Sequence, residues 1–270
     1  MPVVADLPPP QVFDALFDKW ADEALRVAGF SAEKPRQENR IPDIVKRKVA
    51  QLCEMQICFP DSKPACFRMA DSKKGKGGPY NRFSYFSSTK TILPNWEYFV
   101  QIAAFRDLIF EYGYSADWMK FEYHESHPPV WISVDIEIKI PGRPKIFVEV
   151  KERRVDLQNL IAAVKSIGKS GVVLNQPDRG NDALRKAKYI IAGRPDYFVG
   201  YSPEGFDQYQ AQYEAGNRFM LVPAQMPKVK GEERKNPLPG KKDGQGDRGT
   251  ILHKTSPNRS AHENQSGTSK

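Results

Sequence analysis

The sequence predicts an α/β protein: a mixed sheet flanked by helices, with a helical extension before it and a disordered tail after it. Three observations carry this. From Trp131 to Arg153, apolar and polar residues alternate with period two on both sides of a Pro141-Gly142 turn signal. Around that hairpin, segments with helical spacing alternate with short apolar runs of the kind a buried parallel strand requires. Finally, 270 residues with 40% hydrophobic content can bury one sizeable core and a smaller accessory unit. The expected divisions are a helical region at 1–57, a loop-rich connector at 58–95, an α/β core at 96–226 and a tail at 227–270.

In the helical region Val12, Phe13, Leu16, Phe17, Trp20, Ala24, Leu25 and Val27 recur at helical spacing, and Gly29 supplies the stop. So wide an apolar face is expected to dock on the core; a partner-binding helix is the alternative. The polar stretch 31–40 leads to a second helix from about Pro42, with Ile44, Val45, Val49 and Leu52 inward. Lys46, Arg47 and Lys48 are expected on its solvated side. In the connector, Lys73, Lys74 and Lys76 precede Tyr80, Phe83, Tyr85 and Phe86. The lysines are candidate nucleic-acid contacts in an exposed Gly-rich loop, and the aromatics belong to a following strand. No Gly-Lys-Ser/Thr follows at the spacing of a phosphate-binding P-loop. Cys53, Cys58 and Cys66 are an odd number without a paired Cys-x-x-Cys, so buried thiols in a reduced, cytoplasmic setting are expected.

The core opens with a helix from Trp96 to Gly113, preceded by Pro94. A strand follows over Lys120–His127; its His124 and His127 do not have the spacing of a helical zinc motif. After the hairpin comes a helix burying Leu157, Leu160, Ile161 and Val164, then a short apolar strand at Gly171–Asn175. A helix from about Asn181 to Ala192 carries Arg185, Lys186 and Lys188 on its polar side, where they are candidate phosphate contacts. Tyr197–Tyr201 makes a final strand, and Phe219–Val222 closes the domain.

The hairpin carries the chemistry. Side chains at i and i+2 leave a strand on the same face, so Asp135 shares a face with Glu137, and Glu149 with Lys151. Clustered carboxylates repel unless a cation lies between them. Oxygen-only ligands suit a hard ion such as Mg²⁺ or Mn²⁺, which polarises a phosphoryl oxygen and acidifies its bound water. A lysine two residues beyond a glutamate ligand orients that water or neutralises charge on the phosphorane. The same alternation is also what a hairpin with one solvated face would show.

Asp135, thirteen residues, then Glu149-Val150-Lys151 resembles the signature of the PD-(D/E)xK superfamily, the restriction-endonuclease-like nucleases. The resemblance covers about Trp96 to Ser202. It implies a restriction-endonuclease-like core in a set order: a helix, three antiparallel strands, a crossover helix and a further strand. It also implies metal ligation by Asp135, Glu149 and the backbone carbonyl of Val150, with Lys151 as the catalytic lysine. Glu137 is a further carboxylate candidate; Glu97 and Glu111 on the preceding helix are alternatives for another. Gln158, past the lysine, is a secondary candidate. Val134 stands where the family often has Pro. A second register, Asp117 with Glu137-Ile138-Lys139, is available, but the flanking helix and strand favour Glu149.

The net charge of +8 is unevenly placed: residues 227–270 hold ten Lys or Arg against five Asp or Glu, which leaves +3 for 1–226. A basic tail strengthens non-specific phosphate binding or simply solvates the chain end. The tail's Lys, Gly, Pro and Ser content cannot offset its ordering entropy. No apolar run reaches membrane-span length, and MPVVADLPPP lacks the pattern of a secretory signal. The expectation is a Mg²⁺-dependent deoxyribonuclease, endonuclease rather than exonuclease, acting on DNA alone, as a homodimer or with a protein partner. The alternative is a non-catalytic nucleic-acid- or protein-binding subunit on the same scaffold.

Overall fold

The computed structural model of the chain describes residues 6–30, 41–60, 66–69, 80–81 and 83–229. The chain divides into two units, 1–235 and 236–270, and the second lies outside the described residues.

Helix α1 (Pro10–Ala28) begins with Pro at its first positions, where no amide hydrogen is needed, and ends where Gly29 turns left-handed at φ 66°. Helix α2 (Asp43–Glu54) follows. Short strands β1 (Cys58–Pro60), β2 (Cys66–Met69) and β3 (Tyr80–Asn81) form one small antiparallel sheet, and β4 (Phe83–Phe86) pairs with β5 (Thr91–Pro94). The apolar face of α1 is filled. Phe17 stacks on Trp96 at 5.8 Å and Trp20 on Phe99 at 6.3 Å, so this helix docks on the body of the protein. Cys58 is buried and Cys53 half-buried; the side chain of Cys66 lies outside the described residues.

Helix α3 (Trp96–Phe110) leads into the main sheet, built from β6 (Met119–His127), β7 (Val130–Ile138), β8 (Ile146–Val150), β9 (Tyr197–Ser202), β10 (Gly205–Glu214) and β11 (Arg218–Pro223). Its order is β11-β10-β9-β8-β7-β6, and only the β8–β9 pair is parallel. Between β8 and β9 run α4 (Arg154–Ser170) and α5 (Asp182–Gly193). Both helices cover one face, where Leu157, Ile161, Val164 and Ile190 meet Ile132, Phe147, Phe198 and Phe219. On the other face α3 packs over β8 and β9. The protein is thus mixed α/β, a six-stranded sheet between helices.

Two sequence expectations about the sheet change. Gly171–Asn175 is not a strand. Gly171 ends α4 at φ 95°, Val172 makes one backbone bond to Asn217, and Val173 is 59% exposed. The parallel partner of β8 is β9, and β10 and β11 extend the sheet beyond it. The β7–β8 connection is also longer than a tight hairpin. Arg143 N–H closes a turn on the Ile140 carbonyl with Gly142 at φ 71°, but the strands stop at Ile138 and resume at Ile146.

The expected solvated trio on α2 is not solvated. Lys46 pairs with Asp14 at 2.9 Å, Arg47 donates to the Pro8 and Leu7 carbonyls, and Lys48 is buried against Asp107 at 2.5 Å. The side chain of Asp107 also accepts from the Tyr201 hydroxyl at 2.9 Å and from Arg106 at 3.1 Å. Arg106 in turn donates to Gln51 at 2.9 Å. This buried network joins α2, α3 and β9. At the other end, the chain beyond Pro223 still lies on the body: Met226 is buried, Tyr114 donates to the Pro227 carbonyl at 2.5 Å, and Val229 N–H bonds to Tyr112. A tail beginning at 227 therefore starts too early; residues 230–270 lie outside the described residues.

Candidate active site

Sheet register brings the site together. Ile136 pairs with Val148 and Glu137 with Phe147, which sets Asp135 beside the Glu149–Val150 end of β8. The Val150 amide donates to Asp135 Oδ2 at 2.6 Å, so the backbone of one strand fixes the carboxylate of the other. Opposite Asp135 on β6, Glu122 has a positive φ of 44°. There the strand rolls: Phe121 meets Phe105 of α3, whereas Tyr123, two residues on, meets Phe147 on the opposite face.

Glu149 is 1% exposed, and each of its oxygens meets an ammonium. Lys151 Nζ lies 2.9 Å from Oε1, and Lys186 Nζ of α5 lies 2.6 Å from Oε2. Lys186 also reaches the Ser133 carbonyl at 3.4 Å. Glu97, in the first turn of α3, approaches Lys151 at 3.8 Å. The site therefore sits where the β7–β8 pairing ends, between the N-terminal parts of α3 and α5.

Burial first, and then the Glu149 carboxylate, push Asp135 well above the usual carboxylate range; Lys186 and Lys151 pull it back. Burial also raises Glu97. Burial by itself would lower Lys151, but Glu149, Glu97 and Asp135 outweigh it and the ammonium is held more tightly than usual. Lys186 is raised in the same way, against its own burial, by Glu149 and Asp135. Both lysines are thus cations that donate hydrogen bonds, not bases.

Three carboxylates, Asp135, Glu149 and Glu97, face two ammoniums. A site with one carboxylate in excess suits an added cation. Asp135 and Glu149, as hard oxygen donors on neighbouring strands, fit a divalent ion that takes the place of an ammonium on Glu149. Among the described residues, no group of three or more His, Cys, Asp or Glu side chains is arranged to hold a metal ion. The Val150 group bound to Asp135 is its amide; the expected carbonyl role has no counterpart among these contacts.

The other predicted residues fall elsewhere. Glu137 is buried two residues further along β7 and faces Lys120 at 3.4 Å. Gln158 is exposed on α4. Glu111 lies at the far end of α3, paired with Arg106 at 2.9 Å, which leaves Glu97 as the helix carboxylate near the site. Arg185 pairs with Asp182 at 2.7 Å. Lys188 is buried, bound to Asp178 at 3.0 Å and to the Gln176 carbonyl, so it is not a free phosphate contact. Lys73, Lys74 and Lys76 lie outside the described residues. Lys186 is the residue whose place the pattern misread. It stands one helical turn from buried Ile190 and two from Gly193, on the inward stripe of α5, and that spacing was the available signal.

Among the described residues, no helix is long and apolar enough to cross a membrane. No family model, no curated protein and no solved structure matches this chain.

Proposed function

We propose that this chain is a metal-dependent nuclease of the PD-(D/E)xK type that hydrolyses phosphodiester bonds in DNA, acting as an endonuclease in the cytoplasm. The observation that carries it is the meeting of Asp135, Glu149 and Lys151 on adjacent antiparallel strands, followed by a helical crossover to a parallel strand. That order, with Glu97 from the preceding helix, is what the resemblance implies.

Asp135 and Glu149 would hold Mg²⁺ or Mn²⁺, which when bound polarises the phosphoryl oxygen and acidifies water. Lys151 remains an ammonium. It directs a hydrogen bond to the attacking water or to the charge that develops on the phosphorane. Glu97, 3.8 Å away, adds a second carboxylate whose charge keeps Lys151 aimed into the site. Asp135, fixed by the Val150 amide, presents its other oxygen without reorganisation.

The test is cleavage of plasmid, linear, single-stranded and branched DNA by the wild type and Glu149→Ala, with Mg²⁺, Mn²⁺ or EDTA. Metal-dependent cutting lost in the variant is expected; no cutting of any substrate would reject the reading for the isolated chain. One observation favours a non-catalytic scaffold instead: each Glu149 oxygen already has a lysine partner. Divalent-ion binding that needs both Asp135 and Glu149 separates the two readings.

A further inference from the structure

Glu149 is held by two ammoniums, and the proposed reaction uses only Lys151. The second, Lys186, makes the shorter contact, 2.6 Å against 2.9 Å, from a side chain that is 9% exposed. Burying an ammonium is costly unless it is paired, and Glu149 is its close ionic partner. We propose that Lys186 is the resident cation of Glu149 in the metal-free protein and that a divalent ion binds by displacing it. This lysine then sets the metal affinity of the centre. The inference rests on the metal-dependent reading above.

Charge and geometry both support displacement. Asp135 and Glu149 are the two oxygen donors, and a divalent ion in place of one ammonium would supply the positive charge that their carboxylate forms need. Lys186 has somewhere to go. The Ser133 carbonyl is already 3.4 Å from its Nζ. Asp182 lies four residues earlier on α5, the spacing at which helical side chains meet. Lys151 does not have to leave, because Glu97 holds it from the other side at 3.8 Å. The exchange moves one buried side chain toward Asp182, which it would share with Arg185.

The test is calorimetric titration of Mn²⁺ into the wild type, Lys186→Met, Lys186→Arg and Lys188→Met, with melting temperatures read with and without the ion. Lys188→Met removes the same charge from the same helix without touching Glu149. Removing Lys186 is expected to tighten Mn²⁺ binding by at least about tenfold, with Lys186→Arg no tighter than wild type and Lys188→Met within about threefold of it. Lys186→Met should also melt lower than wild type without metal and recover on adding Mn²⁺. Equal or weaker binding by Lys186→Met, or a loss of stability that Mn²⁺ does not restore, would overturn the proposal while leaving the metal site standing. Binding seen only in Lys186→Met, and lost with Glu149→Ala, supports it. Binding in none of these proteins rejects the metal reading itself.

Discussion

Lys151 shows how its surroundings decide what a side chain does. Glu149, Glu97 and Asp135 outweigh the desolvation of its ammonium, so it stays charged and, in the proposed reaction, would act as a donor in the transition state. Lys151→Ala should slow DNA cleavage by about 10²–10³-fold, the loss typical of one preorganised donor to developing charge. Metal and DNA binding should change little, because the group acts in the transition state rather than as an anchor. Single-turnover rates compared with binding titrations check this, and unchanged cleavage would exclude the site. Asp135, Glu149 and Lys151 were legible in the sequence because strand geometry places i and i+2 together. Lys186 was not, because its partner lies on another element and only packing brings them into contact. Glu97 and Glu111 looked equivalent on one helix until the sheet met one end of it.

The elements are joined by contacts that local pattern does not reveal. Lys46, Arg47 and Lys48 read as one basic surface, yet each reaches a different partner, and Lys48 ends in the Asp107–Tyr201 network. Asp107→Ala should cost about 3–5 kcal/mol, since it leaves the ammonium of Lys48 and the guanidinium of Arg106 buried without that carboxylate. Denaturant unfolding measures this, and a cost typical of a surface pair would show that the network is replaceable. On the opposite face, Gly200 stands in register with Glu149, and a Cβ there would meet Leu157 Cδ1 at 2.7 Å and Ile161 Cδ1 at 2.9 Å. Gly200→Ala should therefore destabilise by about 1–3 kcal/mol as α4 is pushed from the sheet. The same displacement would disturb the strand next to the site, so cleavage should fall with stability. Strand β10 went unread although Tyr209, Ala211 and Tyr213 alternate with Gln208, Gln210 and Gln212. A strand with so few aliphatic residues gives a faint signal, and pairing on both sides supplies what its composition lacks.

For the molecule as a whole, the folded body runs past the point where composition changes. Met226 and Val229 are buried, and Pro227 accepts from Tyr114, so these residues belong to the body despite their polar neighbours. A chain ending at Val229 should keep the melting temperature of the full chain. One ending at Pro223 should melt several degrees lower, roughly the shift from losing 1–2 kcal/mol in a domain of this size. Equal melting of the two truncations would mean that the 224–229 contacts add nothing. Residue order by itself determined the α/β class, the helix–hairpin–helix succession and the carboxylate–lysine set, because each follows from local periodicity and backbone sterics. Tertiary structure decided which run becomes the parallel strand, where each charge on α2 and α5 ends, and which glutamate of α3 approaches Lys151. Those outcomes depend on pairing between distant segments, and the energy of burying a charge is settled only when its partner arrives.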